Sequence, residues 1–256
     1  MSYRIAISGK GGSGKTTISA LIVRYIVQKL GKPVLAVDAD PNSTLGEALG
    51  LQVRSTISDI REDFAEQKMS LPAGLSKDRY IEYAIHQTIL EANGFDLLTM
   101  GRPEGPKCYC YVNNLLRGFL KSVSADYPYV VMDNEAGMEH LSRRTTDDVD
   151  LFLIVAECNP VGIRTARRIV ELTRKLPVSV KRQMLVLNRV PTELEQTQII
   201  SRIPEDEMEV ACVLPLDPEV QAYWFRGRPL FDLPEKNPVY TILCDFLSRT
   251  FNATHS

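Results

Sequence analysis

The sequence has 256 residues, of which 44% are hydrophobic and 24% are charged, and its formal net charge is −2. This length and composition are ordinary for a globular protein with a large buried core, and the small net charge excludes a global basic field for nucleic acid. No apolar run approaches the ~20 residues that cross a bilayer, and MSYRIAISGK lacks the apolar centre of a signal peptide. Five cysteines do not make a disulfide framework. We therefore expect a cytoplasmic protein with neither a membrane nor a nucleic-acid partner.

Short apolar segments rich in β-formers alternate with segments of helical periodicity along the chain. The predicted strands are YRIAIS, PVLAVD, FDLLTM, YVVMD, LFLIVAE, MLVLNRV and VACVLPL. The predicted helices are TTISALIVRYIVQKLG, which Gly31 ends, PVGIRTARRIVELTRKL and NPVYTILCDFLSRTF. Apolar strands between helices are typical of a parallel sheet covered on both faces. We predict one doubly wound, mostly parallel α/β domain over residues 1–256 with about seven strands, while residues 51–94 give no clear prediction.

The first predicted strand runs into GKGGSGKTT, a glycine-rich loop that opens the first helix. Gly9, Gly14, Lys15 and Thr16 match G-x-x-x-x-G-K-[ST] in the strand–loop–helix setting that this motif requires. Such a loop surrounds a phosphate with backbone N–H groups at the positive end of a helix. Its lysine reaches the β- and γ-phosphates, and its hydroxyl binds Mg²⁺. The nucleotide-binding residues predicted from the loop are Gly11, Gly12, Ser13, Gly14, Lys15, Thr16 and Thr17.

Carboxylates follow two of the predicted strands. Asp38 and Asp40 lie in VDADP, and Asp133 ends YVVMD. An open α/β sheet binds its ligand in the crevice at the carboxyl ends of its strands, so these side chains are candidates for the same site. A solvated turn ahead of Pro41 is the alternative for Asp38 and Asp40.

Lys10 gives the loop the form K-G-G-x-G-K-T, and in this the sequence resembles the MinD/ParA/nitrogenase-iron-protein class of dimeric ATPases. The resemblance implies a homodimer that forms with ATP, in which Lys10 reaches the partner's nucleotide. It also implies that Asp38 supports the magnesium shell, that Asp40 orients the attacking water and that Asp133 holds Mg²⁺ through water. Hydrolysis of ATP to ADP and phosphate would then depend on Lys10, Lys15 and Asp40. A solvated loop lysine is the alternative for Lys10.

Further positions match the same class. Gly137, in YVVMDNEAG, matches the glycine whose amide senses the γ-phosphate, and VLNRV and LPLD match the adenine contacts. The resemblance therefore implies that Asn188, Pro215 and Asp217 bind adenine. An asparagine at a strand end is also a common turn former.

Cys108 and Cys110 form a Cys-x-Cys pair in GPKCYCYVNN. Thiolates suit Ni²⁺, Zn²⁺ and Cu⁺. One pair supplies two sulfurs where a closed site takes four, and a two-fold dimer would supply the other two. A strained disulfide and two structural cysteines remain the alternatives.

The other cysteines and one histidine are open to different interpretations. Cys212 and Cys244 lie in a predicted strand and helix, where we expect them to be small buried hydrophobes. Cys158 and His140 have no assigned role in a site.

The pair together with VVMDNEAGMEHLSRRTT resembles the CooC-type ATPases, which help to install nickel in carbon monoxide dehydrogenase and related enzymes, including acetyl-CoA synthase. A nitrogenase-type iron protein would have a cysteine soon after Asp133, and this sequence has none there. The resemblance implies an ATP-driven chaperone that holds Ni²⁺ or Zn²⁺ between the Cys108 and Cys110 pairs of two subunits and serves a client nickel enzyme. An iron–sulfur carrier using the same thiolates and a positioning ATPase of the MinD/ParA type remain alternatives.

Overall fold

Eight strands form one central sheet within the residues that the computed structural model describes. These residues are 2–65, 77–102, 123–135, 148–175, 179–192, 197, 199–201, 203 and 208–252. The strands are β1 (Tyr3–Gly9), β2 (Val34–Ala39), β3 (Leu90–Glu91), β4 (Phe95–Thr99), β5 (Tyr129–Asn134), β6 (Asp148–Glu157), β7 (Ser179–Val190) and β8 (Glu209–Pro215). Their order is β3-β4-β2-β5-β1-β6-β7-β8, and every neighbouring pair except β3–β4 is parallel.

Helices cover both faces of this sheet. They are α1 (Lys15–Tyr25) with a π-helical turn (Ile26–Leu30), α2 (Leu45–Leu49), α3 (Ile57–Ala65), α4 (Lys77–Thr88), α5 (Pro160–Thr173), α6 (Pro218–Phe225), a 3-10 turn (Leu230–Asp232) and α7 (Pro238–Asn252). One buried cluster joins the sheet to α1, α2 and α7, and a second joins its other face to α3 and α5. None of the helices in the described ranges is long and apolar enough to span a membrane.

The predicted α/β fold is confirmed, with one strand more than expected. Each of the predicted strands and the three predicted helices corresponds to an observed element. Gly31 ends the first helix in a left-handed conformation, with φ at 61°. The additional strand, β3, has two residues that pair antiparallel to β4 at the edge of the sheet. It lies in residues 51–94, and two residues are too few to show a periodicity.

The strand register brings the predicted carboxylates to one edge of the sheet. Asp38 of β2 lies opposite Asp133 of β5, and Ile7 of β1 lies opposite Asp133 on the other side. Because these three strands are parallel, the loop that follows β1 and the turn that follows β2 leave the sheet at the same edge. The sheet therefore places the glycine-rich loop beside the carboxylates.

Candidate nucleotide-binding site

The loop between β1 and α1 needs glycine at two positions for steric reasons. A Cβ atom on Gly9 would lie 2.2 Å from the carbonyl oxygen of Val155 in β6. Gly14 has φ at 98°, in the left-handed region that favours glycine, and a Cβ atom there would lie 2.2 Å from Nδ2 of Asn188. The loop therefore packs against β6 and β7 so closely that any side chain at these two positions would displace it.

Two adjacent residues of β7 hold the loop through its carbonyl groups. Asn188 Nδ2 donates to the Ser13 carbonyl at 2.8 Å, and Arg189 Nη1 donates to the Gly12 carbonyl at 2.8 Å. Arg189 has φ at 56°, which is uncommon for a residue other than glycine. The structure thus gives Asn188 a contact with the phosphate loop, and its contact with adenine stays a prediction.

Lys15 and Asp40 form an ion pair inside the site. The Lys15 ammonium lies 3.7 Å from Asp40 Oδ2, and the two residues are 5% and 8% exposed. The other carboxylate oxygen of Asp40 accepts hydrogen bonds from the backbone and side-chain nitrogens of Asn42, both at 2.9 Å. Asp38 is fully buried. The alternative of a solvated turn for Asp38 and Asp40 is therefore wrong.

Thr16 and the two strand-end aspartates form the acidic side of the site. The Thr16 hydroxyl donates to Asp133 Oδ2 at 2.6 Å. Asp38 accepts from the backbone N–H groups of Asp40 at 3.2 Å and Leu45 at 2.9 Å. Asp133 Oδ1 is buried and has no hydrogen-bond partner among the described residues. One oxygen of the Asp133 carboxylate is thus buried without a partner, while the other accepts from the Thr16 hydroxyl.

Burial raises the pKa of both aspartates. The pKa of Asp38 is raised to about 7 by desolvation and by the nearby charge of Asp133. The pKa of Asp133 is raised to about 6 by desolvation, although the Thr16 hydroxyl and the Lys15 charge oppose the shift. A divalent cation would stabilise both ionised carboxylates, and Mg²⁺ prefers oxygen ligands. The unpaired carboxylate oxygen of Asp133 and the Thr16 hydroxyl therefore fit the predicted Mg²⁺ site.

A cavity of about 470 Å³ lies over the loop. This volume is within the usual range for small-molecule and cofactor sites. All but one of the described residues predicted to bind nucleotide line it, namely Gly11, Gly12, Gly14, Lys15, Thr16, Thr17, Asn188, Pro215 and Asp217. The exception is Ser13, which is only 2% exposed and is absent from the lining because its carbonyl is directed towards Asn188. Asp40 also lines the cavity, whereas Lys10 is exposed on the surface of the loop.

Asp217 has structural contacts in addition to its place in the wall of the cavity. Its carboxylate caps α6 by accepting from the Val220 N–H at 2.9 Å, and it accepts from the buried Asn237 amide at 3.1 Å. These bonds connect α6 to the segment before α7. Asp217 therefore holds one wall of the cavity, and its contact with adenine stays a prediction.

Sequence reasoning missed several residues in the wall of the cavity. They include Asn42, Thr44, Arg189, Gln221 and Trp224. The polar run NST after VDADP was a usable signal for the first two, and the single tryptophan of the chain was a signal for the last. The indole N–H of Trp224 donates to the Thr17 hydroxyl at 2.9 Å, which connects α6 to the first turn of α1.

We expect Trp224 to report nucleotide binding. Because it is the only tryptophan and lines the cavity, ATP should change the protein's fluorescence in a saturable way. Trp224→Phe should abolish the signal and weaken ATP binding about fivefold, measured by calorimetry, because the hydrogen bond to Thr17 contributes about 1 kcal/mol. A fluorescence signal that did not respond to ATP, in protein that calorimetry shows to bind it, would contradict this placement.

Four residues singled out from the sequence have no described position in the structure. Gly137, Cys108, Cys110 and His140 lie outside the described residues. The described ranges contain no group of three or more histidine, cysteine, aspartate or glutamate residues that could hold a metal.

The three other cysteines all pack against apolar residues. Burial of Cys212 is confirmed and raises the pKa of its thiol to about 12, whereas Cys244 is partly buried against the same core. Cys158 is partly buried against the core on the other face. The predicted hydrophobic role therefore fits Cys212 best.

Comparison with known proteins places the chain in a family. Residues 5–230 match the family model described as the CobQ/CobB/MinD/ParA nucleotide binding domain. An uncharacterized ATP-binding protein of Methanocaldococcus jannaschii is 40% identical over 250 residues, covering 97% of this chain and 98% of the relative. The carbon monoxide dehydrogenase accessory protein CooC of Rhodospirillum rubrum is 28% identical over 248 residues, covering 90% of each chain.

A solved structure agrees with the fold. The MinD cell division protein of Aquifex aeolicus superposes with a TM-score of 0.70 at 22% identity, covering 98% of this chain and 97% of the other. At that identity the likeness concerns the fold alone. Since the family model extends from β1 to the 3-10 turn and includes the glycine-rich loop, the carboxylates and all of the cavity lining except Val239, the chain belongs to the CobQ/CobB/MinD/ParA family of nucleotide-binding domains.

Proposed function

We propose that the protein is an ATP-hydrolysing metallochaperone that delivers nickel to carbon monoxide dehydrogenase or acetyl-CoA synthase. The observation that carries this proposal is the similarity to CooC over 90% of both chains, in a chain that also has the Cys108–Cys110 pair. The relative that is 40% identical is an ATP-binding protein, which supports the nucleotide part of the proposal.

The site supports ATP hydrolysis through residues that are already close together. Lys15 would bind the phosphates, and Thr16 and Asp133 would hold Mg²⁺, which neutralises charge on the transferring phosphoryl group. When the Lys15 ammonium binds a phosphate, its ion pair with Asp40 would be broken. The Asp40 carboxylate could then orient the attacking water, which is the role proposed for it.

A second subunit would complete both the nucleotide site and the nickel site. Lys10 is exposed and is therefore available to a partner's nucleotide, whereas Lys15 is buried in its own site. In a two-fold dimer each subunit presents the same surface, so the thiolates of Cys108 and Cys110 from both chains would supply four sulfur ligands. Nickel is the cargo, and zinc is a competing ion because both metals accept thiolates. Hydrolysis would loosen the dimer and release the metal to the client.

We expect the double substitution Cys108→Ala/Cys110→Ala to abolish nickel binding while leaving ATP affinity and turnover within about twofold of wild type. The physical reason is that two alanines remove all four proposed sulfur ligands of a dimer and no residue of the nucleotide site. The measurement is nickel content and oligomeric state after size-exclusion chromatography, with and without ATP. Cys212→Ala is the matched control, because its buried thiol faces the core.

The same experiment separates the proposal from its rivals. One nickel per wild-type dimer, lost in the double variant and retained in Cys212→Ala, supports the metallochaperone. Full nickel stoichiometry in the double variant would show that these thiols are not the ligands. A brown protein after anaerobic reconstitution with iron and sulfide would favour a cluster carrier with the same thiolates, and ATP-dependent assembly on DNA or lipid would favour a positioning ATPase.

A further inference from the structure

Thr44 occupies the N-cap of α2, yet its side chain does not cap the helix. Threonine at this position normally accepts a hydrogen bond from an N–H group of the first helical turn. The Thr44 hydroxyl instead lies 3.4 Å from the hydroxyl of Thr16, and Thr44 lines the nucleotide cavity. Thr44 therefore directs its hydroxyl towards Thr16 in the nucleotide site and not towards the N–H groups of α2.

Contacts on both sides of Thr44 fix this orientation. Ser43, which has φ at 51°, donates its N–H to the Asp40 carbonyl at 2.9 Å and so closes a tight turn. Leu45 donates its N–H to Asp38 Oδ2 at 2.9 Å. The two aspartates of VDADP thus hold the residues before and after Thr44. A left-handed non-glycine residue is a local strain that persists where the surrounding structure requires it.

We propose that the Thr44 hydroxyl is a second direct hydroxyl ligand of Mg²⁺, beside that of Thr16, in the Mg·ATP complex. This inference rests on the ATPase site proposed above. Mg²⁺ binds oxygen ligands at about 2.1 Å in octahedral geometry, which puts neighbouring ligand atoms about 2.9 Å apart. The two hydroxyls lie 3.4 Å apart, so a movement of about half an ångström would bring both to the spacing of neighbouring ligands.

The position of Thr44 would connect the bound metal to Asp40, the residue proposed to orient the attacking water, through the short turn between them. Thr44 follows Asp40 by four residues, and the turn between them is closed by the bond from Ser43 to the Asp40 carbonyl. Mg²⁺ bound by Thr44 would fix this turn and, with it, the position of Asp40. In the structure Asp40 contacts Lys15 and Asn42. The hydroxyl of Thr44 therefore couples metal occupancy to assembly of the hydrolytic site.

The test compares ATP affinity with saturating Mg²⁺ and with EDTA, followed by Trp224 fluorescence and by calorimetry. Thr44→Val keeps the shape of the side chain and removes the hydroxyl, whereas Thr44→Ser keeps the hydroxyl. We expect Thr44→Val to lower the Mg²⁺-dependent gain in ATP affinity about tenfold and to leave the affinity in EDTA unchanged, because one oxygen ligand is lost. Thr44→Ser should stay within about twofold of wild type. Thr44→Ala should repeat the result of Thr44→Val.

Each outcome has a distinct meaning. Since the gain is a ratio measured within one protein, a general loss of stability in a variant does not imitate the expected effect. A wild-type gain in both Thr44→Val and Thr44→Ala would overturn this inference and leave the ATPase proposal standing. A wild-type protein whose ATP affinity did not depend on Mg²⁺ would overturn both.

Discussion

Replacing Asp40 with asparagine is expected to lower the rate of ATP hydrolysis about a hundredfold or more while ATP still binds. A carboxylate that positions the attacking water and accepts its proton contributes typically 10²–10⁴-fold, and an amide cannot take the proton. The substitution also removes the partner of the buried Lys15 ammonium. An unpaired buried charge is strongly destabilising, so the nucleotide-free variant should unfold at a lower temperature than wild type.

ATP is expected to stabilise Asp40→Asn more than it stabilises wild type. In wild type the phosphates must compete with Asp40 for Lys15, whereas in the variant the ammonium has no carboxylate to leave. ATP affinity should therefore be equal to or higher than that of wild type. Phosphate release measures the rate, Trp224 fluorescence measures the affinity, and thermal unfolding with and without ATP measures the stabilisation.

Asn42→Ala is the matched control for this prediction. It removes the amide that donates to Asp40 at 2.9 Å but leaves the charge of Asp40 and its pair with Lys15 in place. We expect its hydrolysis rate to stay within about tenfold of wild type, since a single hydrogen bond contributes about 1 kcal/mol. An Asp40→Asn variant that hydrolysed ATP at the wild-type rate would remove Asp40 from the mechanism.

The strands and the phosphate loop were predictable because their signals are local. A short segment rich in apolar β-forming residues, or a motif such as GKGGSGKTT, is specified by adjacent residues and the element they begin. The β3 strand was not predictable, since its two residues pair only because β4 lies beside them. The π-helical turn at the end of α1 was missed for a related reason, because one wider turn barely alters the helical stripe.

Residues whose role depends on distant contacts were the ones that the sequence did not reveal. Trp224 reaches Thr17 across 207 positions of the chain, and Arg189 reaches Gly12 across 177. Thr44 looks like an ordinary helix cap in sequence, and only the fold turns its hydroxyl toward Thr16. Motifs thus predicted the loop and the carboxylates at the ends of strands. The other residues of the cavity lining come together only when separate elements pack.

Asp133→Asn is expected to have opposite effects on the metal-free protein and on the Mg·ATP complex. In the metal-free fold the pKa of Asp133 is raised from its ordinary value of 3.8 to about 6. The folded state therefore binds more protons than the unfolded state between these values, and the free energy of unfolding falls as pH rises through this range. At pH 8 the ionised carboxylate is a cost to folding that asparagine removes. The charge of Asp133 also raises the pKa of Asp38, so the substitution lowers the cost of ionising Asp38 in the folded protein as well.

We expect Asp133→Asn at pH 8, without Mg²⁺, to be more stable than wild type by about 2 kcal/mol. Each unit of pKa shift that the substitution removes corresponds to about 1.4 kcal/mol of stabilisation. The new amide is left partly unpaired, which offsets part of this gain. The unfolding temperature should rise by about 4–8 °C, and this difference should shrink towards pH 5. Glu235→Gln, which changes an exposed carboxylate paired with Lys29, should shift stability by less than about 0.5 kcal/mol at either pH.

With Mg²⁺ and ATP present the stability advantage of the variant should disappear. Wild type gains the binding free energy of the metal complex, whereas the variant lacks the carboxylate whose second oxygen has no protein partner in the described structure. Removing a group that ligates a metal or orients its shell typically weakens affinity about ten- to hundredfold. Thermal unfolding at pH 5 and pH 8, each with EDTA and with Mg·ATP, measures all four conditions. A variant less stable than wild type at pH 8 in EDTA would mean that Asp133 serves the fold as well as the metal, whereas an advantage that is present in EDTA and lost with Mg·ATP means that its buried charge is retained for the metal alone.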